Sequence, residues 1–87
     1  MKVVILQTKE ILITQIEEVG ADIGEPDCKL VKPFLIKSPS AVGLMLELEP
    51  WNFDYTSQDN FMISSDKIIT LADPKPTLLE KYQSLIK

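Results

Sequence analysis

Two glutamates in an alternating stretch, Glu47 and Glu49, are the residues best spaced for acid–base chemistry in this sequence. Alternate residues of a β-strand lie on one face of the sheet, so the two carboxylates are expected to share a face. Paired carboxylates can hold different pKa values and serve as acid and base in glycoside-type chemistry. Two glutamates on a strand are far more often its solvated face, and the chain has no histidine to act as a general base near neutral pH. The pair therefore does not indicate an enzyme.

The sequence offers little for nucleophilic or metal chemistry. Cys28 is the only cysteine, which excludes a disulfide within the chain, and without a histidine partner it is expected to be a small buried hydrophobic residue. One cysteine cannot form a zinc site. The segment 54–60 has oxygen ligands but lacks the spacing of a calcium loop, and Gly20 and Gly24 do not form a phosphate-binding loop. We predict no catalytic residue, no metal, no cofactor and no enzymatic activity.

Charge argues against strong binding of nucleic acids. The chain has 13 acidic and 9 basic side chains, a formal net charge of −4, and every basic residue is a lysine. Arginine is the usual residue for gripping phosphate and stacking on bases, and a net negative charge repels a polyanion. Trp51, Phe53 and Tyr55 have the spacing of a base-stacking platform, but their acidic neighbours favour packing in the core or at a subunit interface.

Apolar and β-branched residues predict a mainly β protein. Six segments are predicted to be strands: 2–8, 11–19, 28–38, 42–50, 61–63 and 67–72. The first two are expected to form a hairpin, and residues 20–27 are expected to form a loop. Pro33 cannot donate to a ladder, so the third strand is expected to lie at an edge there, or to be bent or bulged. Residues 51–55 are predicted to be a strand end or an extended loop with three aromatic side chains on one side.

The last segment of the chain predicts a helix. Thr77 lies at a cap position with Glu80 three residues later, which is the pattern of a capping box. Five apolar residues at helical spacing form one stripe: Leu78, Leu79, Tyr82, Leu85 and Ile86. A helix of three turns is not stable alone, so it is expected to lie on the sheet or on a neighbouring subunit.

Length and composition indicate one small domain that gains stability from a partner chain. A chain of 87 residues buries a modest fraction of its surface, and 45% apolar with 25% charged residues suits a protomer that buries a further face. We predict a strongly bent sheet closing into a small five-stranded barrel over residues 1–73, followed by an amphipathic helix over 74–87. The unpaired cysteine and the expected absence of a signal peptide predict a cytoplasmic location. No apolar run approaches the ~18 residues of a membrane span, so no membrane contact is expected.

The order of these elements resembles the Sm-like (LSm) proteins. The opening hairpin reads VVILQTKEILITQIEEV, the third strand reads CKLVKPFLI, and the end reads FMISSDKIITLADP. The likeness is greatest to the compact Sm-like proteins of tailed phages, cyanophages in particular, through residues 29–33, residues 50–53 and the helix 77–85. The resemblance implies a small, strongly bent Sm-like barrel whose last two strands are joined by a tight 3₁₀ turn.

Several positions depart from the Sm-like pattern. The N-terminal helix of that family is expected to be missing, since the first strand begins almost at Met1. The turn glycine between the first two strands is replaced by Lys9, and residues 20–27 have no clear counterpart of the Asp/Asn group that grips uridine. The arginine and glycine of the second Sm motif are replaced by Ser64 and Ser65. These departures weaken the case for RNA binding more than the case for the fold.

The resemblance implies a homo-oligomeric ring in which the fourth strand of one subunit pairs with the fifth of the next. We expect a ring of about five to seven subunits, with five favoured for so compact a protomer. The candidate interface residues are Phe61, Ile63, Ile68, Ile69 and Leu71. The candidate RNA-binding residues, on the turn that would face the pore, are Ser64, Ser65, Asp66 and Lys67.

Two functions stay open on the sequence alone. The first is a ring that acts as a scaffold for other proteins and binds RNA weakly. The alternative is an RNA-binding or RNA-chaperone protein that contacts single-stranded RNA at the pore-side turn. Since the resemblance implies a phage origin, the protein is expected to act in the cytoplasm of the host.

Overall fold

The computed structural model describes residues 1–37 and 47–86, which form six strands, one short 3₁₀ helix and one α-helix. The strands are β1 Lys2–Leu6, β2 Ile11–Glu18, β3 Cys28–Ile36, β4 Leu48–Pro50, β5 Asn60–Ile63 and β6 Ile68–Ala72. The 3₁₀ helix, Ser65–Lys67, joins β5 to β6, and the α-helix, α1, is Pro76–Leu85. The protein is therefore mainly β with a C-terminal helix, as the sequence predicts.

All six strands belong to one antiparallel sheet. β6 pairs with β1, β1 with β2, and β2 with β3. The far edge of β3 is shared by two short strands, since β5 pairs with its first part and β4 with its last.

The expectation of a closed barrel is wrong, because the sheet is open. Among residues 1–37 and 47–86, β6 pairs with β1 alone, and neither β4 nor β5 reaches it. Closure requires a hydrogen-bonded ladder between the two edge strands. The edge opposite β6 is divided between two strands of three and four residues, so the described chain has no long continuous strand there to pair with β6.

The hairpin of β1 and β2 is confirmed, and a left-handed lysine closes it. Val4 lies opposite Leu12 in the ladder. In the connection, Leu6 N donates to Glu10 O at 3.0 Å and Lys9 N donates to Leu6 O at 2.8 Å. Lys9 has φ 72°. This backbone conformation suits glycine and costs a residue with a Cβ roughly 1–2 kcal/mol.

Replacing Lys9 with glycine is expected to stabilise the fold by about 0.5–1 kcal/mol. The relief of the left-handed strain exceeds the extra entropy that glycine gains in the unfolded chain. Thr8→Gly is the matched control, because Thr8 is the neighbouring turn residue and its φ is not positive. Urea denaturation should rank Lys9→Gly above the wild type and Thr8→Gly below it. A less stable Lys9→Gly protein would show that the turn does not need this geometry.

The predicted irregularity at Pro33 is confirmed as a β-bulge. The ladder passes from the pair Ile13–Phe34 to the pair Gln15–Val31, which leaves two residues of β3 opposite the single residue Thr14. One of the two, Lys32, has φ 51°. A bulge accommodates the missing donor of proline and bends the strand.

The core lies on one face of the sheet. Four residues of β1, β2 and β3 form a buried cluster: Val4, Leu6, Leu12 and Leu30. Partly buried side chains from the second half of the chain pack against it, Trp51, Ile63 and Ile68 among them. The cluster therefore joins β3, β5 and β6 to the hairpin of β1 and β2 on this face of the sheet.

The opposite face of the sheet carries α1. Ile13 is fully buried and follows Leu12 on β2, so it points away from the core cluster. Phe34 lies opposite Ile13, and its ring meets the ring of Tyr82 edge-on at 5.7 Å and 80°. Tyr82 is fully buried, and its hydroxyl donates to Lys32 O at 2.9 Å. The helix therefore packs on the sheet of its own chain and holds the bulge of β3.

The predicted capping box at the start of α1 is wrong. The helix begins at Pro76, so Thr77 lies inside its first turn, and the cap residue Lys75 makes no side-chain hydrogen bond to the helix. Proline is favoured at the first helical position because its missing N–H would be unpaired there. Proline therefore sets this boundary in place of the threonine cap.

The extended geometry predicted for residues 51–55 is also wrong. The backbone turns tightly, with Tyr55 N donating to Asn52 O at 3.0 Å, and Asn52 has φ 61°. The aromatic side chains diverge, because Trp51 packs on the core while Tyr55 is almost fully exposed. The turn separates β4 from β5.

Three predicted elements fall partly outside the described residues, and the first is the strand 28–38, whose last residue, Ser38, follows the described range 1–37. Leu48–Pro50 of the predicted strand 42–50 forms β4, and residues 42–46 lie outside the described part of the chain. Lys87, the last residue of the predicted helical segment 74–87, also lies outside it. Glu49 Oε2 lies 3.4 Å from Lys37 Nζ, which forms an ion pair between the half-buried Glu49 of β4 and the exposed residue that follows β3. Within the described ranges, no helix is long and apolar enough to span a bilayer.

Candidate functional site

The four candidate RNA-binding residues lie together in the turn between β5 and β6. Lys67 N donates to Ser64 O at 3.0 Å, which closes the 3₁₀ helix. Gln7, the residue that follows β1, holds the turn from the side, since its backbone N donates to Lys67 O at 2.9 Å and its Nε2 donates to Asp66 O at 2.8 Å. These two hydrogen bonds, from Gln7 to the backbone carbonyls of Asp66 and Lys67, hold the turn beside the end of β1.

A carboxylate that the sequence reasoning missed completes this site. Asp27, the last residue of the loop before β3, accepts a hydrogen bond from Ser65 N at Oδ1 and another from Ser65 Oγ at Oδ2, both at 2.7 Å. These bonds from the hydroxyl and then the backbone N–H of Ser65 hold the pKa of Asp27 below its ordinary value. The loop 20–27 contains three acids, but no local pattern indicates which of them meets a turn 38 residues away.

Loop and turn together line a shallow polar cavity of about 450 Å³. Its charged side chains are the carboxylates of Glu25, Asp27 and Asp66 and one ammonium, that of Lys67. The N–H and hydroxyl of Ser65 are the natural donors for an anion at this position, and both are bonded to Asp27. The site is therefore poorly suited to a phosphate group.

Replacing Asp27 with alanine is expected to destabilise the fold near pH 7. The stability of the mutant should also fall less than that of the wild type as the pH is lowered into the acid range. A carboxyl whose pKa is depressed in the folded state stabilises above its unfolded pKa, and that stability is lost as the pH falls through the folded pKa. The mutant and the wild type should therefore converge in strongly acidic solution. Asp22→Ala, in the same loop, serves as the control. Thermal melts across the acid range measure the difference, and a constant gap at all pH values would contradict the assignment.

The candidate interface residues fall into two groups. Ile63 and Ile68 pack against the core cluster, and the ring of Phe61 meets Trp51 edge-on at 5.3 Å and 67°. Ile69 and Leu71, on β6, are 60% and 50% exposed. The first group stabilises the protomer, while the second group leaves apolar surface on the edge of the sheet.

The environment of Cys28 bears on its reactivity. Cys28 is buried, and burial raises the pKa of its thiol, with Asp27 and Glu18 raising it further. A thiol in this environment is a poor nucleophile. In the described part of the chain, no three His, Cys, Asp or Glu side chains are grouped so that they could hold a metal ion.

Comparison with known proteins gives a family and no annotated relative. No curated protein matches the chain. A family model does match it, over residues 1–87, and the family is described as one of unknown function, DUF6561. Because the match covers the full length of the sequence, the chain belongs to the DUF6561 family.

Proposed function

We propose that this protein is the subunit of an Sm-like homo-oligomeric ring that serves as a scaffold for other proteins. The observation that carries the proposal is the apolar edge of β6. An edge strand with unpaired backbone groups and exposed apolar side chains is a template for pairing with another chain. A contiguous exposed apolar patch marks an interaction site in a soluble protein, so a strand of another chain is a natural cover for this edge.

Leu71 gives this edge its clearest signature. It lies opposite Val4 in the ladder of β1 and β6, and paired residues of an antiparallel ladder point to the same face. Val4 is fully buried, yet Leu71 on the same face is half exposed, because β6 is the last strand on that side of the described sheet. A strand laid beside β6 would bring Leu71 into a continuous core.

The opposite edge of the sheet offers the complementary surface. β5 pairs with β3 on one side, and Met62 on β5 is half exposed. Pairing between β6 of one copy and β5 of the next joins two different surfaces, and repetition of such a contact generates a ring when the rotation closes. Such pairing would use the free edges of β6 and β5, and β4 would stay as an edge strand in the described part of the sheet.

The connection between the last two strands supports the proposal of an Sm-like ring. The 3₁₀ helix Ser65–Lys67 joins the last two strands, β5 and β6, and this is the connection that the resemblance implies. The broken β4–β5 edge takes the place of the single fourth strand. Ring formation would also supply the closure that one protomer lacks.

The alternative role in RNA binding has less support. A ring of copies multiplies the charge of −4, and it would present the carboxylates around Ser65 once per subunit. Repulsion of a polyanion grows with that number. Protein partners do not require phosphate contacts, so the scaffold role suits this surface better.

Hydrogen–deuterium exchange at several protein concentrations tests the ring. In an assembled ring the outer amides of β6 are paired, so they should exchange slowly and become labile on dilution. Fast exchange of β6 at every concentration would overturn the proposal. A polarisation titration with oligo-U and oligo-A at about 50 mM salt separates the two roles, since tight, salt-sensitive binding would move the function to RNA.

A further inference from the structure

A second cavity, of about 370 Å³, opens at the notch where β4 and β5 part along the edge of β3. Four aromatic residues line it: Phe34, Trp51, Phe53 and Phe61. Leu85 of α1 borders it from the side of the helix. We call this cavity the aromatic pocket. Its volume and its mostly apolar walls are those of a site for a small ligand or for one large side chain.

The rings of the aromatic pocket are held in place by contacts outside it. Trp51 packs edge-on against Phe61, and its Nε1 donates to Glu10 Oε2 at 3.1 Å. Phe34 is held by Tyr82 of the helix. Phe53 is 53% exposed. Three of the four rings are therefore fixed before any ligand arrives, which lowers the entropic cost of binding.

The charges around the aromatic pocket favour a cation. The exposed Asp59 lines the pocket, and its carboxylate makes no ion pair or hydrogen bond with residues 1–37 or 47–86. Glu10 stands behind Trp51, and Asp54 lies in the adjacent turn. Lys32 is the one opposing charge among the described lining residues. Aromatic faces attract cations as well, so ring and carboxylate act in the same direction.

We propose that the aromatic pocket binds an arginine side chain presented by a peptide segment of a partner protein. The planar guanidinium stacks on aromatic faces, and its fork of N–H donors matches a carboxylate such as Asp59. This chain contains no arginine, so neither the chain nor another copy of it can supply the group. The proposal does not depend on ring formation, because the residues that form the pocket belong to one protomer.

Lys32 provides a test of whether the ligand is positively or negatively charged. Lys32 lines the same pocket, so its positive charge would repel an incoming guanidinium. Replacing Lys32 with methionine keeps most of the stem and removes the charge. Arginine binding should then tighten several-fold, whereas an anionic ligand would bind less well.

The test is a titration of the full chain with acetyl-Gly-Arg-Gly-amide, followed by the fluorescence of Trp51, the only tryptophan. Calorimetry gives the same affinities without the optical probe. The matched ligand is acetyl-Gly-citrulline-Gly-amide, which has the same shape and no charge. We expect saturable binding of the arginine peptide and binding of the citrulline peptide weaker by about tenfold or more.

Three variants complete the experiment. Asp59→Asn should weaken arginine binding about five- to tenfold, Lys32→Met should tighten it, and Asp22→Asn, which removes a loop carboxylate outside the pocket lining, should leave it unchanged. All three positions are exposed, so the variants are expected to fold. Equal affinity for both peptides, no saturable signal up to about 10 mM, or weaker binding by Lys32→Met would each overturn the proposal.

Discussion

Replacing Tyr82 with alanine is expected to lower the free energy of unfolding by about 3–5 kcal/mol, the range for removing a large buried aromatic side chain. Tyr82 is fully buried between the helix and the sheet, where its ring packs on Phe34. It is the one buried residue in α1, so its loss removes the main anchor of a helix too short to persist alone. Urea denaturation followed by circular dichroism should show an earlier midpoint and a loss of helical signal.

Tyr82→Phe separates packing from hydrogen bonding. The phenylalanine ring keeps the contact with Phe34 and lacks the donor to Lys32 O, so the expected loss is only about 1 kcal/mol. Burial raises the pKa of Tyr82, which keeps the phenol protonated and able to donate over the neutral range. If Tyr82→Ala costs no more than Tyr82→Phe, the helix does not depend on this anchor.

Replacing Ile69 with lysine is expected to dissociate the proposed ring into protomers and to weaken assembly by at least about 100-fold. The change removes apolar area from the subunit contact and buries an unpaired ammonium there, which together cost several kcal/mol. Ile69 is already 60% exposed in the protomer, so the lysine is solvated there and the fold is retained. Sedimentation velocity measures the shift in size.

Ile23→Lys is the matched control for the edge of β6. Ile23 is fully exposed, and it lies in the loop between β2 and β3 and not in either edge strand. This variant should sediment as the wild type does. An Ile69→Lys protein that keeps the assembly of the wild type would place the subunit contact elsewhere, while parallel loss in both variants would point to a general effect of charge.

Local sequence patterns predicted the elements that depend on residues close together in the chain. The hairpin of β1 and β2 follows from two β-branched runs with a short polar connection, and the bulge follows from a proline inside β3. The two short strands flanking residues 64–67 were also predicted, since the apolar runs on either side of this polar turn are distinct. The pairing of β6 with β1, which joins the two ends of the chain, was not predicted from any local pattern.

The failures concern contacts that no local pattern specifies. Residues 51–55 alternate like a strand, yet Trp51 is drawn to the core and to Glu10, and the backbone turns after it. This turn separates β4 from β5, so the edge of the sheet beside β3 consists of two short strands and the sheet stays open. Asp27 reaches Ser65 across 38 positions, so its role in the candidate site depends on the tertiary fold. The aromatic pocket likewise arises from β3, the turn after β4, β5 and α1 together.

Native mass spectrometry of the wild-type protein tests the central claim most directly. The protomer has a mass of 9.8 kDa, and the proposed ring predicts one dominant species of about five to seven copies that persists on dilution to low micromolar concentration. A single closed species is the result expected if the free edges of β6 and β5 pair between copies, and loss of that species in Ile69→Lys would place the contact at β6. A monomer of 9.8 kDa at about 50 μM would contradict the ring and the scaffold role built on it.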